Sequence, residues 1–415
     1  MILLFEKSTK SILTSTATKD LMFFFFDAYF IINPYFYSLK TTMRYFTQIL
    51  FLLLIYFTNS AQTVKFRNIN TEQGLSVGFV QSVIQDSKGF MWFGTQDGLN
   101  KYDGYEMLIY RNNPKDSTSL SNNDVLCLYE DKNKTLWIGT NGGGLEEYHP
   151  AFNKFTHHFS GEKGSICNNT VRCIYEDKKG GLWVGTDKGL SFYDRNNQQF
   201  INYLPTNATN NISGKVIKCI TENSDGLIWI GTEDGGLNSF NPSTQKFTNY
   251  SIPSHLLYSG NLEYMNQYRT RVISLYAKDD KTLLVGTDGG LGVFDCTKKE
   301  YKKFIVFYTP ESSEIIAENN RIWSIASDKK NTFWIAAYGG GLIQYDATTN
   351  KYIFHQKRTN DPTSLNSNDI YNVFIDNQEN VWAGTQNGGV NVFFRYSTKF
   401  KHYETSSNSE IQLPN

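Results

Sequence analysis

Seven side chains interrupt an otherwise regular sequence and could do chemistry: Arg172, Lys218, Arg271, Arg321, Trp323, Tyr338 and Tyr371. An aromatic surface flanked by donors suits a sugar ring, which offers an apolar face and hydroxyl edges; the cations also suit an acidic glycan. The competing explanation is that they fill a channel or dock another domain. Trp323 stands out most. It falls immediately before a small residue, Ser324, where equivalent places carry Gln81, Leu126, Arg172, Lys218, Ile273 and Tyr371. A position so varied within a repeat is not dictated by the fold, so function can differ there.

The elements that must position these residues come from one repeated unit. A small residue is followed ten positions later by a large apolar one: Ser82 and Trp92, Cys127 and Trp137, Cys173 and Trp183, Cys219 and Trp229, Ser274 and Leu284, Ser324 and Trp334, Asn372 and Trp382. A constant interval across seven copies signals an array or a propeller, and the spacing of roughly 48 residues fits a four-stranded blade. The first strand is apolar two positions before the small residue and one after it (Val171 and Ile174 in the third copy), as burial on both faces requires. The second carries the tryptophan, the third a pair such as Tyr193-Asp194, and the fourth an aromatic run such as Phe155–Phe159. Gly and Asp/Asn at the junctions supply hairpin turns. The expectation is an all-β, closed seven-bladed β-propeller with strand one innermost. Val64–Ile69 resembles a fourth strand and is expected to close the ring with blade seven, leaving Phe400–Glu404 as a surplus strand. Binding residues favour variable loops on a rigid scaffold. The long links Asn112–Asp124 and Ser251–Thr270 therefore place the candidate site on the face they share.

Other reactive residue types read as structure. Asp86, Asp131, Asp177, Asp328 and Asp376 occupy one equivalent place, where Asn223 and Lys278 stand in blades four and five. A lysine fits a turn better than a metal-binding ring, so these carboxylates are expected to accept turn N–H groups. That role makes Asp177→Ala worth about 1 kcal/mol. Cys127, Cys173 and Cys219 share the small-residue position and, with Cys167 and Cys296, make an odd total, so no disulfide framework follows. The histidines lack metal-ligand spacing, and no serine elbow or phosphate-cradling loop is present; neither a metal nor a cofactor is expected.

Lysine plus arginine equals aspartate plus glutamate, 40 against 40. A chain without a basic excess is a poor partner for nucleic acid. Residues 43–61 combine Arg44, the apolar run Ile49–Phe57 and the small polar exit Thr58–Ala61. That is the layout of a signal peptide, too short for a comfortable membrane span. Residues 1–42 then read as a mis-assigned upstream extension with Met43 as the start, and 62–415 as the propeller, exported to the periplasm.

The string Leu-Trp-Ile-Gly-Thr with a following Gly-Gly-Leu, at Leu136–Leu145 and at Ile228–Leu237, resembles the two-component regulator propeller repeat. Gly74-Leu75-Ser76 and Gln85–Leu99 resemble the start of the periplasmic part of hybrid two-component sensors. Blade five departs with Leu284, and blade six with Ala336-Ala337. The resemblance implies a non-enzymatic sensor of oligosaccharides. In that family propellers come in pairs, followed by an immunoglobulin-like domain, a membrane helix anchored in the inner membrane and a histidine kinase. The implied partners are thus an oligosaccharide, a second propeller and kinase modules absent from this chain, with room for a homodimer in the full-length context. The alternatives are a propeller enzyme acting on glycans and an interaction scaffold. An enzyme would need carboxylates converging with the arginines; none is evident beside Arg172, Arg271 and Arg321 in the sequence.

Overall fold

A computed structural model describes residues 64–206, 210–253, 271–307, 320–328 and 330–395. The leader, residues 1–42, the fragment Phe400–Glu404 and most of the Ser251–Thr270 link lie outside the described residues. Among the described residues the strands form seven separate four-stranded antiparallel sheets, each a meander with its strands in chain order except the last. The seven first strands are Val80–Gln85, Val125–Glu130, Val171–Glu176, Ile217–Glu222, Val272–Ala277, Arg321–Ser327 and Ile370–Ile375. Each touches the next, and the last touches the first, so the sheets form a closed seven-bladed propeller with strand one innermost.

Blade seven takes its outer strand from the other end of the ring. Phe66–Ile69 pairs antiparallel with Val390–Phe393, Phe66 opposite Phe393 and Ile69 opposite Val390. The expected closure by Val64–Ile69 is therefore observed.

Close packing at the axis follows from two small residues per blade. In blade three Cys173 pairs with Gly185, and in blade four Cys219 pairs with Gly231. The small side chain faces the next blade: Cys173 Sγ lies 3.9 Å from Ile217 O, and Ser274 Oγ donates to Ile322 O at 3.1 Å. Burial pushes the Cys173 thiol up to about 12, which leaves it inert. These cysteines fill space.

Farther out, the conserved-place aspartates do more than cap a turn. Asp177 Oδ1 accepts from Lys179 N and Gly181 N at 2.9 and 2.8 Å, while Oδ2 accepts from Trp183 Nε1 at 2.8 Å. The same three bonds recur at Asp86, Asp131 and Asp376, with Trp92, Trp137 and Trp382 as indole donors. The turn role is observed, and the indole clasp adds a third bond that raises the expected cost of Asp177→Ala above about 1 kcal/mol. Blade four has Asn223 here, and Trp229 Nε1 is buried without a partner. In blade six Arg395 Nη2 takes Asp328 Oδ2 at 2.7 Å, and Trp334 Nε1 is likewise left unpartnered.

Blade six also holds a pH-sensitive contact. His355 stacks on Trp334 at 5.4 Å and meets the edge of Phe66 at 5.9 Å, so it spans the closing seam. Burial, with a smaller push from Arg358, pulls its pKa down from 6.5 to about 4. A histidine held neutral stabilises the fold fully above its unfolded pKa, and that contribution disappears as pH falls toward the folded value. The melting temperature should drop between about pH 6.5 and pH 4, and His355→Leu should flatten that part of the curve. An unchanged slope in the variant would remove His355 as the cause.

Candidate functional site

Each first strand carries a β-bulge at one place. The register slips between Val80 and Ser82, Val125 and Cys127, Val171 and Cys173, Ile217 and Cys219, Val272 and Ser274, Ile322 and Ser324, and Ile370 and Asn372. The residue passed over is Gln81, Leu126, Arg172, Lys218, Ile273, Trp323 or Tyr371. A bulge leaves its extra residue out of the ladder and re-aims the side chain. This explains the variability seen in the sequence: the position has no partner across the sheet. Arg271 and Arg321 stand two residues earlier, where strand one begins, and Tyr338 ends strand two of blade six. All seven predicted residues thus lie at the same end of the innermost strands.

Six of the seven side chains, all but Arg172, form one connected network with Glu233 and Asp288, and Arg172 pairs separately beside it. Arg172 Nε and Nη2 donate to Asp187 Oδ1 and Oδ2 at 2.7 and 2.9 Å, a bidentate pair. Lys218 Nζ is 3.7 Å from Glu233 Oε2, and Arg271 Nη2 is 2.9 Å from Glu233 Oε1. Arg271 Nη1 also reaches Asp288 Oδ2 at 3.3 Å, and Arg321 Nε lies 2.8 Å from Asp288 Oδ1. Beyond Arg321 the wall becomes aromatic. Arg321 Cζ sits 5.4 Å from the Tyr338 ring, and Lys218 Nζ 5.5 Å from the Trp323 ring. Trp323 stacks on Tyr371 at 4.6 Å; Tyr338 and Phe79 meet Tyr371 edge-on at 6.1 and 4.8 Å. Blades three to six therefore supply an ionic arc, and blades six, seven and one an aromatic one.

Burial sets the electrostatics of the arc. It lowers the basicity of Lys218, with Glu233 opposing, and raises the Asp288 carboxyl despite Arg271 and Arg321. Asp187 holds the Arg172 guanidinium more firmly protonated. Asp288 is 3% exposed, whereas Glu233 is 37% exposed.

The carboxylates correct the sequence reading, which found none beside the arginines. Asp187, Glu233 and Asp288 directly follow the Gly-Thr that ends strand two, a place that reads as an ordinary turn. Comparing it across blades would have exposed it, since it carries Gln96, Asn141, Asp187, Glu233, Asp288, Tyr338 and Gln386. Phe79 was missed for want of the same comparison. The middle of the long link into blade two turns outward, although its last residue, Asp124, accepts from Gln81 at the site's end. Thr118 O accepts Phe155 N at 2.8 Å on the outermost strand, and Thr363 O does the same for Phe66 N at 2.7 Å in blade seven.

The repeats match a family model described as two component regulator propeller at residues 74–97, 119–142, 165–188, 211–234 and 364–387. These are blades one to four and seven; Arg271, Asp288, Arg321, Trp323 and Tyr338 lie outside the matched stretches. The chain is 52% identical over 56 residues to histidine kinase P4 of Formosa agariphila, a stretch covering 14% of this chain and 4% of that protein. Among solved structures it is similar to the extracellular domain of a hybrid two-component system of B. thetaiotaomicron. There the TM-score is 0.67 and the identity 26%, over 80% of this chain and 42% of the other. A second extracellular domain from that organism gives 0.64 and 24%, over 79% and 40%. Virginiamycin B lyase of Staphylococcus aureus shares the fold at 14% identity and a TM-score of 0.59, over 80% of this chain and 99% of that one. The chain spans about two fifths of the first two solved structures and far less of the kinase.

Proposed function

Because this chain belongs to the two-component regulator propeller family, we propose that it is the extracytoplasmic ligand-sensing propeller of a hybrid regulator, and that it binds an oligosaccharide at the mouth of its central channel. The observation that carries this reading is the aromatic arc of Trp323, Tyr371, Tyr338 and Phe79 beside hydrogen-bonding side chains, with Trp323 and Tyr371 on bulge positions that the ladder leaves free. Stacked aromatic faces suit the apolar face of a sugar, and neighbouring polar groups suit its hydroxyls. Location in the periplasm, a second propeller as neighbour and kinase modules as the recipients of the signal belong to the same proposal.

A propeller hydrolase or lyase is the alternative, favoured by one observation: Arg271 lies between Glu233 and Asp288. Against it, every one of the three carboxylates is engaged by a cation. Asp288 touches two. Glycan binding by the purified chain, followed by a search for cleaved products, separates the two. Trp323→Ala should weaken glycan binding at least tenfold while shifting the melting temperature by no more than a few degrees. Unchanged affinity would rule out this site, and products released by the chain would favour the enzyme. Arg321→Ala is the less clean probe, because it strips Asp288 of a buried partner.

A further inference from the structure

Two donors at the junction of the ionic and aromatic arcs lack a matching acceptor. Trp323 Nε1 is buried with no hydrogen-bond partner. Lys218, 12% exposed, has its nearest carboxylate at 3.7 Å, beyond a good hydrogen bond, and shares it with Arg271, which holds Glu233 at 2.9 Å. The ammonium lies 5.5 Å from the Trp323 ring. Burying an ammonium without a close counter-ion, and an indole N–H without an acceptor, costs free energy that a bound anion would recover. The other carboxylates at this end are occupied. Asp187 is taken by Arg172, Asp288 by Arg271 and Arg321, Asp124 accepts from Gln81 and Asn141, and Asp369 accepts from Gly339 N at 3.0 Å.

Building on the saccharide reading above, we infer that the ligand is an acidic oligosaccharide, carrying a uronate carboxylate or a sulfate ester that sits between Lys218 and Trp323 Nε1. The acidic group supplies the acceptor that both donors lack, while the sugar ring lies along Trp323 and Tyr371. Glu233, the most exposed carboxylate of the arc, stays with Arg271 and gives way at Lys218. The ionic arc then acts as a charge filter. A neutral sugar would leave the Lys218 ammonium undercompensated, and one with an added positive charge would meet Arg172 and Arg271 as well.

The test uses the full chain on an array of neutral, uronate-bearing and sulfated oligosaccharides. Calorimetry of the best hit against its carboxyl-reduced or desulfated form follows. The acidic form should bind at least tenfold tighter, and the preference should shrink as salt rises from low to high concentration. Lys218→Met should erase the preference while leaving weak binding of the neutral form, and Lys218→Arg should restore much of it. Trp323→Phe keeps a ring but removes the N–H, and should lose several-fold in affinity for the acidic form alone. If the neutral form binds as well as the acidic one, or Lys218→Met keeps the preference, the charge assignment fails and the saccharide reading stands. If no member of any class binds, both fail.

Discussion

Trp183→Ala should lower the unfolding free energy by about 3–5 kcal/mol, the range for removing a large buried aromatic side chain. The ring is 2% exposed and packs on Phe192 at 4.6 Å within its own blade and on Phe240 at 5.4 Å in the next. Its loss opens a cavity at a seam between blades, where neither sheet can collapse without disturbing the axis. Asp177→Ala should come close behind, at about 3 kcal/mol. It orphans the buried indole N–H and two turn amides, and each buried donor left unpaired costs about 1–3 kcal/mol. Asp177→Asn keeps the acceptor for the turn amides but, like Asn223 beside Trp229, offers none to the indole, so it should recover only the turn's share of the loss. Denaturant melts of the three variants check the order. If Asp177→Ala costs less than 1 kcal/mol, the indole bond contributes nothing and the carboxylate is only a turn cap.

The second large effect belongs to a glycine. A Cβ added at Gly231 would collide with Cys219 Sγ and stand 2.5 Å from Val272 Cγ1 and 3.0 Å from Val272 O in the next blade. Gly231→Ala should therefore cost about 1–3 kcal/mol by overpacking, and Gly231→Val should fail to give folded protein. Blade six carries Ala336 at this place, fully buried and paired with Ser324. Gly231→Ala combined with Cys219→Ser should recover part of the loss, because the thiol is the bulkiest obstacle within the blade. Expression yield and thermal melting read the outcome. A fully stable Gly231→Val would mean that the blades are not in contact at the axis.

The architecture was legible because blade packing repeats: a small residue, an indole and a glycine recur in nearly every blade and leave a regular trace. The gathering of the seven candidate residues at one end was legible for the opposite reason, as departures from that trace. What was hidden depends in part on pairing across blades. Glu233 serves Lys218 and Arg271 from two different first strands, and no spacing within a unit reveals this. The indole clasp was hidden differently. Asp177 and Trp183 were each given a structural role, but the bond between them needs the geometry of the turn. In blade five both members are exchanged, Lys278 for the acceptor and Leu284 for the donor.

Ring closure by Phe66–Ile69 against Val390–Phe393 bears on how the protein is made. The strand that completes blade seven emerges from the ribosome before any of the blades, and its partner only after the first six are made. Until then Phe66 and Ile69, both buried in the finished ring, have no sheet to join. Blades one to six can form meanwhile as an open arc whose two faces await each other, and completion is a single late docking event. Pairings this distant in sequence make for slow folding, and a nonsense codon anywhere before Val390 would leave every earlier blade without a closed ring.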